Sequence, residues 1–191
     1  MIEHKIHPTP LFIDEYNDSN DLAYAANYVR ELERNNQSRT LYSSTGFTSY
    51  GLNHDILSNF NNIKQFIDDK VKEANYSSRI CGETEYAMSW ASINRKYSVH
   101  GKHNHLPFTW SGVLYLQADN TDADIQFYNT NLNSAWPYAP FKQNNMFSFI
   151  GLSPSTGKLI IFPSYLEHEV IEQTYEKERI TISFNYNLIP E

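Results

Sequence analysis

The chain predicts a mainly β fold with flanking helices, an α+β order in which a jelly-roll sandwich carries helices packed on one side. Two observations carry that expectation. The apolar spacing is helical in the N-terminal part and switches to a period of two near residue 85, where Tyr86, Met88, Trp90 and Ser92 alternate with Ala87, Ser89, Ala91 and Ile93. Strand-like runs then follow at 85–97, 111–117, 124–129, 146–150, 158–162, 168–173 and 179–187, separated by Asn, Asp, Pro, Gly and Ser. Helices first and short strands after suit a sandwich covered on one side better than a parallel sheet. The 14 Tyr and 11 Phe favour strands as well.

The elements follow in order. Pro8 to Ile13 reads as a short opening strand. Ser19 or Asn20 can cap a helix running through Arg34, with Leu22, Ala25, Ala26, Val29 and Leu32 on one face. Residues 35–52 are rich in Ser, Thr and Gly and read as loop. A second amphipathic helix is expected over about Ile56 to Ala74, on the stripe Ile56, Phe60, Ile63, Ile67, Val71 and Ala74. Between the later strands, Asn129–Met146 reads as a long loop holding Trp136, Tyr138 and Phe141, and long loops in compact domains are often lids or binding loops.

A length of 191 residues suits one domain, 1–191, with 1–84 as helical support and 85–191 as the jelly-roll core. Fifteen basic residues against 22 acidic give a net charge of −7. Lys and Arg form no run of useful length, so nucleic acid is not an expected partner. The start of the chain is mixed and charged rather than signal-like, and no apolar stretch approaches the roughly 20 residues of a membrane span. A lone cysteine, Cys81, fits a reducing compartment, so the cytoplasm is the expected location.

The chemistry gathers in a split histidine pattern. His103-Asn-His105 stands just before the run Ser111-Gly-Val-Leu-Tyr-Leu116. His168 closes Phe162-Pro-Ser-Tyr-Leu-Glu-His168, and Arg179 follows after ten intervening residues. Imidazoles from two distant β segments can meet around one metal, and the arginine can hold a carboxylate beside it. Two His plus one further ligand, with open positions, is the ligand type of a non-haem Fe(II) oxygenase. His4, His7 and His54 sit in polar or terminal surroundings and read as solvated.

These residues resemble the 2-oxoglutarate and Fe(II)-dependent oxygenases of the prolyl-hydroxylase-like branch, closest to a family of about this length in bacteria and phages. The resemblance rests on Trp90-Ala-Ser-Ile-Asn94, His103-Asn-His105-Leu-Pro107, Ser111-Gly-Val-Leu-Tyr-Leu116, Gly157-Lys-Leu-Ile-Ile-Phe-Pro-Ser-Tyr-Leu-Glu-His168 and Arg179-Ile-Thr-Ile-Ser-Phe-Asn185. Thr9-Pro10-Leu11 and Ser43-Ser44-Thr45 look similar too, so it spans nearly the whole chain. Three departures stand out. The superfamily's first pair is usually H-x-D or H-x-E, and here His105 occupies the carboxylate position. Proline moves from position 106 to 107. Thr181 replaces a serine and keeps its hydroxyl.

The resemblance implies a double-stranded β-helix, cupin-like and jelly-rolled, and an Fe(II)- and 2-oxoglutarate-dependent dioxygenase hydroxylating an unknown substrate. It implies metal ligands His103, His105 and His168, with Asp124 or Asp122 as the alternative third ligand. Arg179 would receive the C5 carboxylate of 2-oxoglutarate, with Thr181, Tyr115 and Asn94 as further contacts. Trp90, Trp110 and Trp136 are candidate substrate residues. O2 and either a peptide side chain or a small metabolite are the expected partners, in the host cytoplasm for a phage-encoded member. Two other classes compete: a cupin-like metal-binding protein that does not turn over 2-oxoglutarate, and a degenerate, non-catalytic oxygenase scaffold. Arg179 speaks against the first, and the missing carboxylate speaks for the second.

Overall fold

Period-two segments pair into two antiparallel sheets whose apolar faces meet. The computed structural model describes residues 9–36, 45–52, 55–128 and 149–189. The strands are β1 (Phe12–Glu15), β2 (Phe47–Thr48), β3 (Glu83–Asn94), β4 (His100–His103), β5 (Trp110–Gln117), β6 (Ile125–Tyr128), β7 (Phe149–Leu152), β8 (Lys158–Pro163), β9 (His168–Val170) and β10 (Arg179–Ile189). One sheet has the order β1-β8-β5-β10-β3-β2 and the other β4-β9-β6-β7. This is the double-stranded β-helix expected from the sequence. The opening strand begins at Phe12, past Pro10, which has no N–H to give a ladder, and it pairs along Lys158–Ile161. The expected loop Asn129–Met146, with Trp136, lies outside the described residues.

Two helices cover the six-stranded sheet. Helix α1 (Ser19–Asn35) is capped by Asp18, one residue before the expected cap, and the Asp18 side chain accepts from the amides of Asn20 and Asp21. Its buried stripe is Leu22, Ala25, Ala26 and Val29, as the spacing predicts. Helix α2 (Asn61–Ser77) starts later than Ile56. The amide of Leu57 is diverted to Ser89 Oγ at 2.9 Å, a 3-10 turn forms over Leu57–Asn59, and Phe60 leaves helical dihedrals. Ile56 and Phe60 are nonetheless buried. Among the described residues, no helix is long and apolar enough to cross a membrane.

Strand parity divides the interior in two. On β5, Trp110, Leu114 and Leu116 join the core shared with α1 and α2, while Val113 and Tyr115 face the four-stranded sheet with Ile125, Phe127, Ile160 and Phe162. Gly112 lies where Phe184 crosses: an added Cβ would come within 2.3 Å of that ring. The layer between the sheets holds the polar constellation.

Candidate metal and 2-oxoglutarate site

Strands β4 and β9 pair so that His103 stands opposite His168. Strand β4 was not legible in the sequence, since His-Gly-Lys-His offers no apolar alternation. His105 follows in the turn beyond β4, where its amide donates to Ser164 O at 2.8 Å. The three rings gather closely: centroids are 4.3 Å apart for His103 and His168, 4.9 Å for His103 and His105, and 5.0 Å for His105 and His168. One ligand atom from each lies within 4.8 Å of the others. That places three imidazole donors around one point, a set suited to a divalent transition metal.

The hydrogen bonds select the tautomers. His103 Nδ1 lies 2.8 Å from Gly101 O, and His168 Nδ1 lies 2.9 Å from Leu166 O. A carbonyl only accepts, so Nδ1 carries the proton in both rings and Nε2 keeps its lone pair for a metal. Burial pushes His168 down to about 4, with the His103 charge adding. Burial pushes His105 down to about 3, helped by His168, His103 and His100. It also lowers His103, against the Gly101 contact. Neutral imidazole, the form that binds metal, therefore prevails near pH 7.

A fourth ring, His100, was missed in the sequence. It stacks on His103 at 4.3 Å with 14° between planes, and burial pushes it down to about 3. The signal that could have found it is its place three residues before His103. Asp124, the alternative ligand, points elsewhere: its carboxylate faces Gly151 of β7, where a Cβ would stand 3.0 Å from Oδ2. Asp122 is buried in a bond from Gln173 Nε2 at 2.5 Å.

Arg179 opens β10 opposite Asn94 of β3. The residue is 3% exposed, and Nη1 donates to Ala123 O at 2.7 Å. Its Nε is buried without a partner among the described residues. Burial works against its charge, while Tyr115 and Asp122 favour it. Thr181, next but one on β10, stands opposite Tyr115 of β5. Burial pushes the Tyr115 phenol up to about 12, so it keeps its proton as a donor. Arg179, Thr181, Tyr115 and Asn94 line one cavity of about 240 Å³ together with the three histidines. A dicarboxylate fits this donor set: the histidines offer a metal at one part of the cavity, and the unmet Arg179 donor wants an anionic acceptor at another.

Of the three tryptophans, Trp90 lines the cavity, 5.5 Å from the His105 ring and edge-on to Tyr50 at 5.3 Å. Trp110 does not. It shares the parity of Leu114, faces the helices, donates from Nε1 to Asn75 Oδ1 at 3.1 Å and meets Phe12 edge-on, so the expectation that it lines this cavity is corrected. Trp136 lies outside the described residues.

The profile of the family described as "Putative 2OG-Fe(II) oxygenase" matches residues 88–185, just over half of the chain and the whole stretch from the cavity face of β3 to β10. No curated protein matches the chain in sequence. Solved structures match in fold. HygX from Streptomyces hygroscopicus, with nickel and 2-oxoglutarate bound, aligns over 94% of this chain and 83% of its own at 11% identity and a TM-score of 0.63. A Pseudomonas putida prolyl-4-hydroxylase aligns over 95% and 94% at 11% identity and 0.62. The epimerase SnoN of nogalamycin biosynthesis, in complex with Fe3+, alpha ketoglutarate and nogalamycin RO, aligns over 94% and 79% at 10% identity and 0.65. At such identities the likeness is one of fold, and the profile match carries the assignment: the chain belongs to the 2OG-Fe(II) oxygenase family.

Proposed function

We propose that this protein is an Fe(II)- and 2-oxoglutarate-dependent dioxygenase that hydroxylates a peptide side chain or a small metabolite. One observation carries the reading. Three neutral imidazoles and a buried arginine with an unmet donor share one cavity between the two sheets. His103, His105 and His168 hold the metal. Arg179 takes the C5 carboxylate, with Thr181 and Tyr115 as hydroxyl donors beside it and Asn94 at the cavity wall. Bound iron and 2-oxoglutarate supply the oxidising power drawn from O2, with succinate and CO2 as by-products. The chain's own contribution is position, fixed tautomers and exclusion of water. Trp90 and Tyr50 form the aromatic wall beside His105 against which a substrate rests.

The whole chain, 1–191, acts as a single domain in this reading. Its support is the core that joins Val29 and Ile67 of the helices to Ile93, Leu114 and Ile182 of the sheet. Cytoplasmic location is supported by the exposed free thiol of Cys81.

Anaerobic titration of the protein with Fe(II) and then 2-oxoglutarate tests the assignment. A weak visible charge-transfer band should grow only when both are present, and admission of O2 should release succinate. Iron binding without a band would favour a cupin-like metal-binding protein, and neither iron binding nor a band a degenerate scaffold. The same titration tests the third ligand. His105→Ala should lose tight iron binding, whereas His105→Asp should retain it, because a carboxylate there reconstitutes two His plus one acid. Normal iron binding by His105→Ala would remove His105 from the set.

A further inference from the structure

Arg179 is held by the backbone carbonyl of Ala123, and Ala123 is held in turn through its N–H. Ala123 gives its C=O to Arg179 Nη1 at 2.7 Å and, from the peptide unit on the other side of its Cα, its N–H to Gln173 Oε1 at 2.7 Å. Gln173 is fully buried. Its Nε2 donates to Asp122 Oδ1 at 2.5 Å and to Lys177 O at 3.3 Å. The other Asp122 oxygen accepts from the Asp119 amide at 2.8 Å. Gln173's own backbone is pinned as well: its amide donates to Ser98 O at 2.9 Å, and its carbonyl accepts from the Tyr97 amide at 2.7 Å. A carboxylate on one side and an N–H on the other leave the Gln173 amide only one orientation. The Asp122–Ala123 peptide unit is fixed with it, and the Ala123 carbonyl follows across a single Cα.

We propose that Gln173, seated on Asp122, is a positioning residue: it anchors Ala123, whose carbonyl aims the Arg179 guanidinium, and so sets the affinity and the length selection for the dicarboxylate. This rests on the reading of Arg179 as the C5-carboxylate anchor. A guanidinium recognises a carboxylate by direction as well as charge, because its N–H bonds form a rigid planar fork. Arg179 keeps a buried, unmet Nε while Nη1 is committed to Ala123 O. Turning the Ala123 carbonyl would turn the fork and move the donor that the far carboxylate must reach. The distance between that donor and the histidines decides which chain length of dicarboxylate fits.

The test is binding, not turnover. Gln173→Met keeps an unbranched side chain of similar length and removes all three side-chain hydrogen bonds. In Fe(II)-loaded protein without oxygen, its dissociation constant for 2-oxoglutarate should rise about tenfold or more, the loss expected when one charge-assisted contact is misaimed. Its Fe(II) affinity should stay as in the unsubstituted protein. The preference for 2-oxoglutarate over 2-oxoadipate, one methylene longer, should shrink. If Gln173→Met does not fold, Gln173→Asn, which is too short to span Asp122 and Ala123, should show the same changes in smaller measure. A fall in melting temperature with unchanged 2-oxoglutarate affinity and unchanged length preference would make Gln173 a merely structural residue and overturn the proposal. If the unsubstituted protein binds iron but no 2-oxoglutarate, the anchoring role of Arg179 fails and the proposal fails with it.

Discussion

Replacing His168 by alanine is expected to abolish tight iron binding, and with it any 2-oxoglutarate-dependent visible band. Of the three proposed ligands, His168 is the one contributed by β9, and it stands opposite His103 across the β4–β9 pair. Losing an outer-shell partner of a metal ligand already costs roughly 10–100-fold in affinity. Losing the ligand itself removes a metal–nitrogen bond and leaves His103 and His105, both on the β4 side, as the remaining pair. The loss should therefore exceed that range, measured by iron content after gel filtration or by competition with a calibrated chelator. The folded core should survive, since His168 packs edge-on to Phe162 near a wall that Ile125 and Ile160 also build. Undiminished iron in a folded His168→Ala variant would sink the three-histidine assignment.

The second large effect belongs to Arg179. Arg179→Met should weaken 2-oxoglutarate binding by roughly ten- to a hundredfold, the equivalent of about 1.5–3 kcal/mol for a charge-assisted contact, while Fe(II) binding stays in place. The same substitution should leave the ligand-free protein at least as stable. A buried guanidinium with an unmet Nε carries a desolvation cost that an apolar side chain of similar reach does not. A stabilised fold with lost dicarboxylate binding is the signature of a residue kept for function. Isothermal titration and thermal melting of the same preparation read both quantities. Unchanged 2-oxoglutarate affinity would remove Arg179 from the site.

The sandwich was legible because its strands carry period-two patterns, and the histidine cluster because its members lie in short local motifs. The meeting of His103, His105 and His168 follows from where those motifs sit in the strand order. Other parts were hidden for physical reasons. Strand β4 is polar throughout, so no apolar alternation marks it, and His100 went unnoticed with it. Strand β5 is buried on both faces, so alternation could not say which side Trp110 takes; the partner that decides it is Asn75 on α2. The start of α2 was misplaced because Ser89, distant in sequence, captures the Leu57 amide. Gln173 ends the expected strand-like run 168–173 beside Glu172, where nothing in the sequence marks it out, and only the fold shows that nothing of it is exposed.

The two local contacts at the histidines have a kinetic consequence. His103 is braced by the carbonyl of Gly101 and His168 by that of Leu166, each two residues earlier in its own chain segment. Their ring orientations are set by neighbouring peptide units rather than by an arriving ion. Folding has then already met the entropy cost of gathering these donors, and capture of a cation involves little motion of the protein. If these histidines hold a metal, its uptake is expected to be paced by how fast the hydrated ion sheds its water, and its release by how fast the nitrogen bonds break.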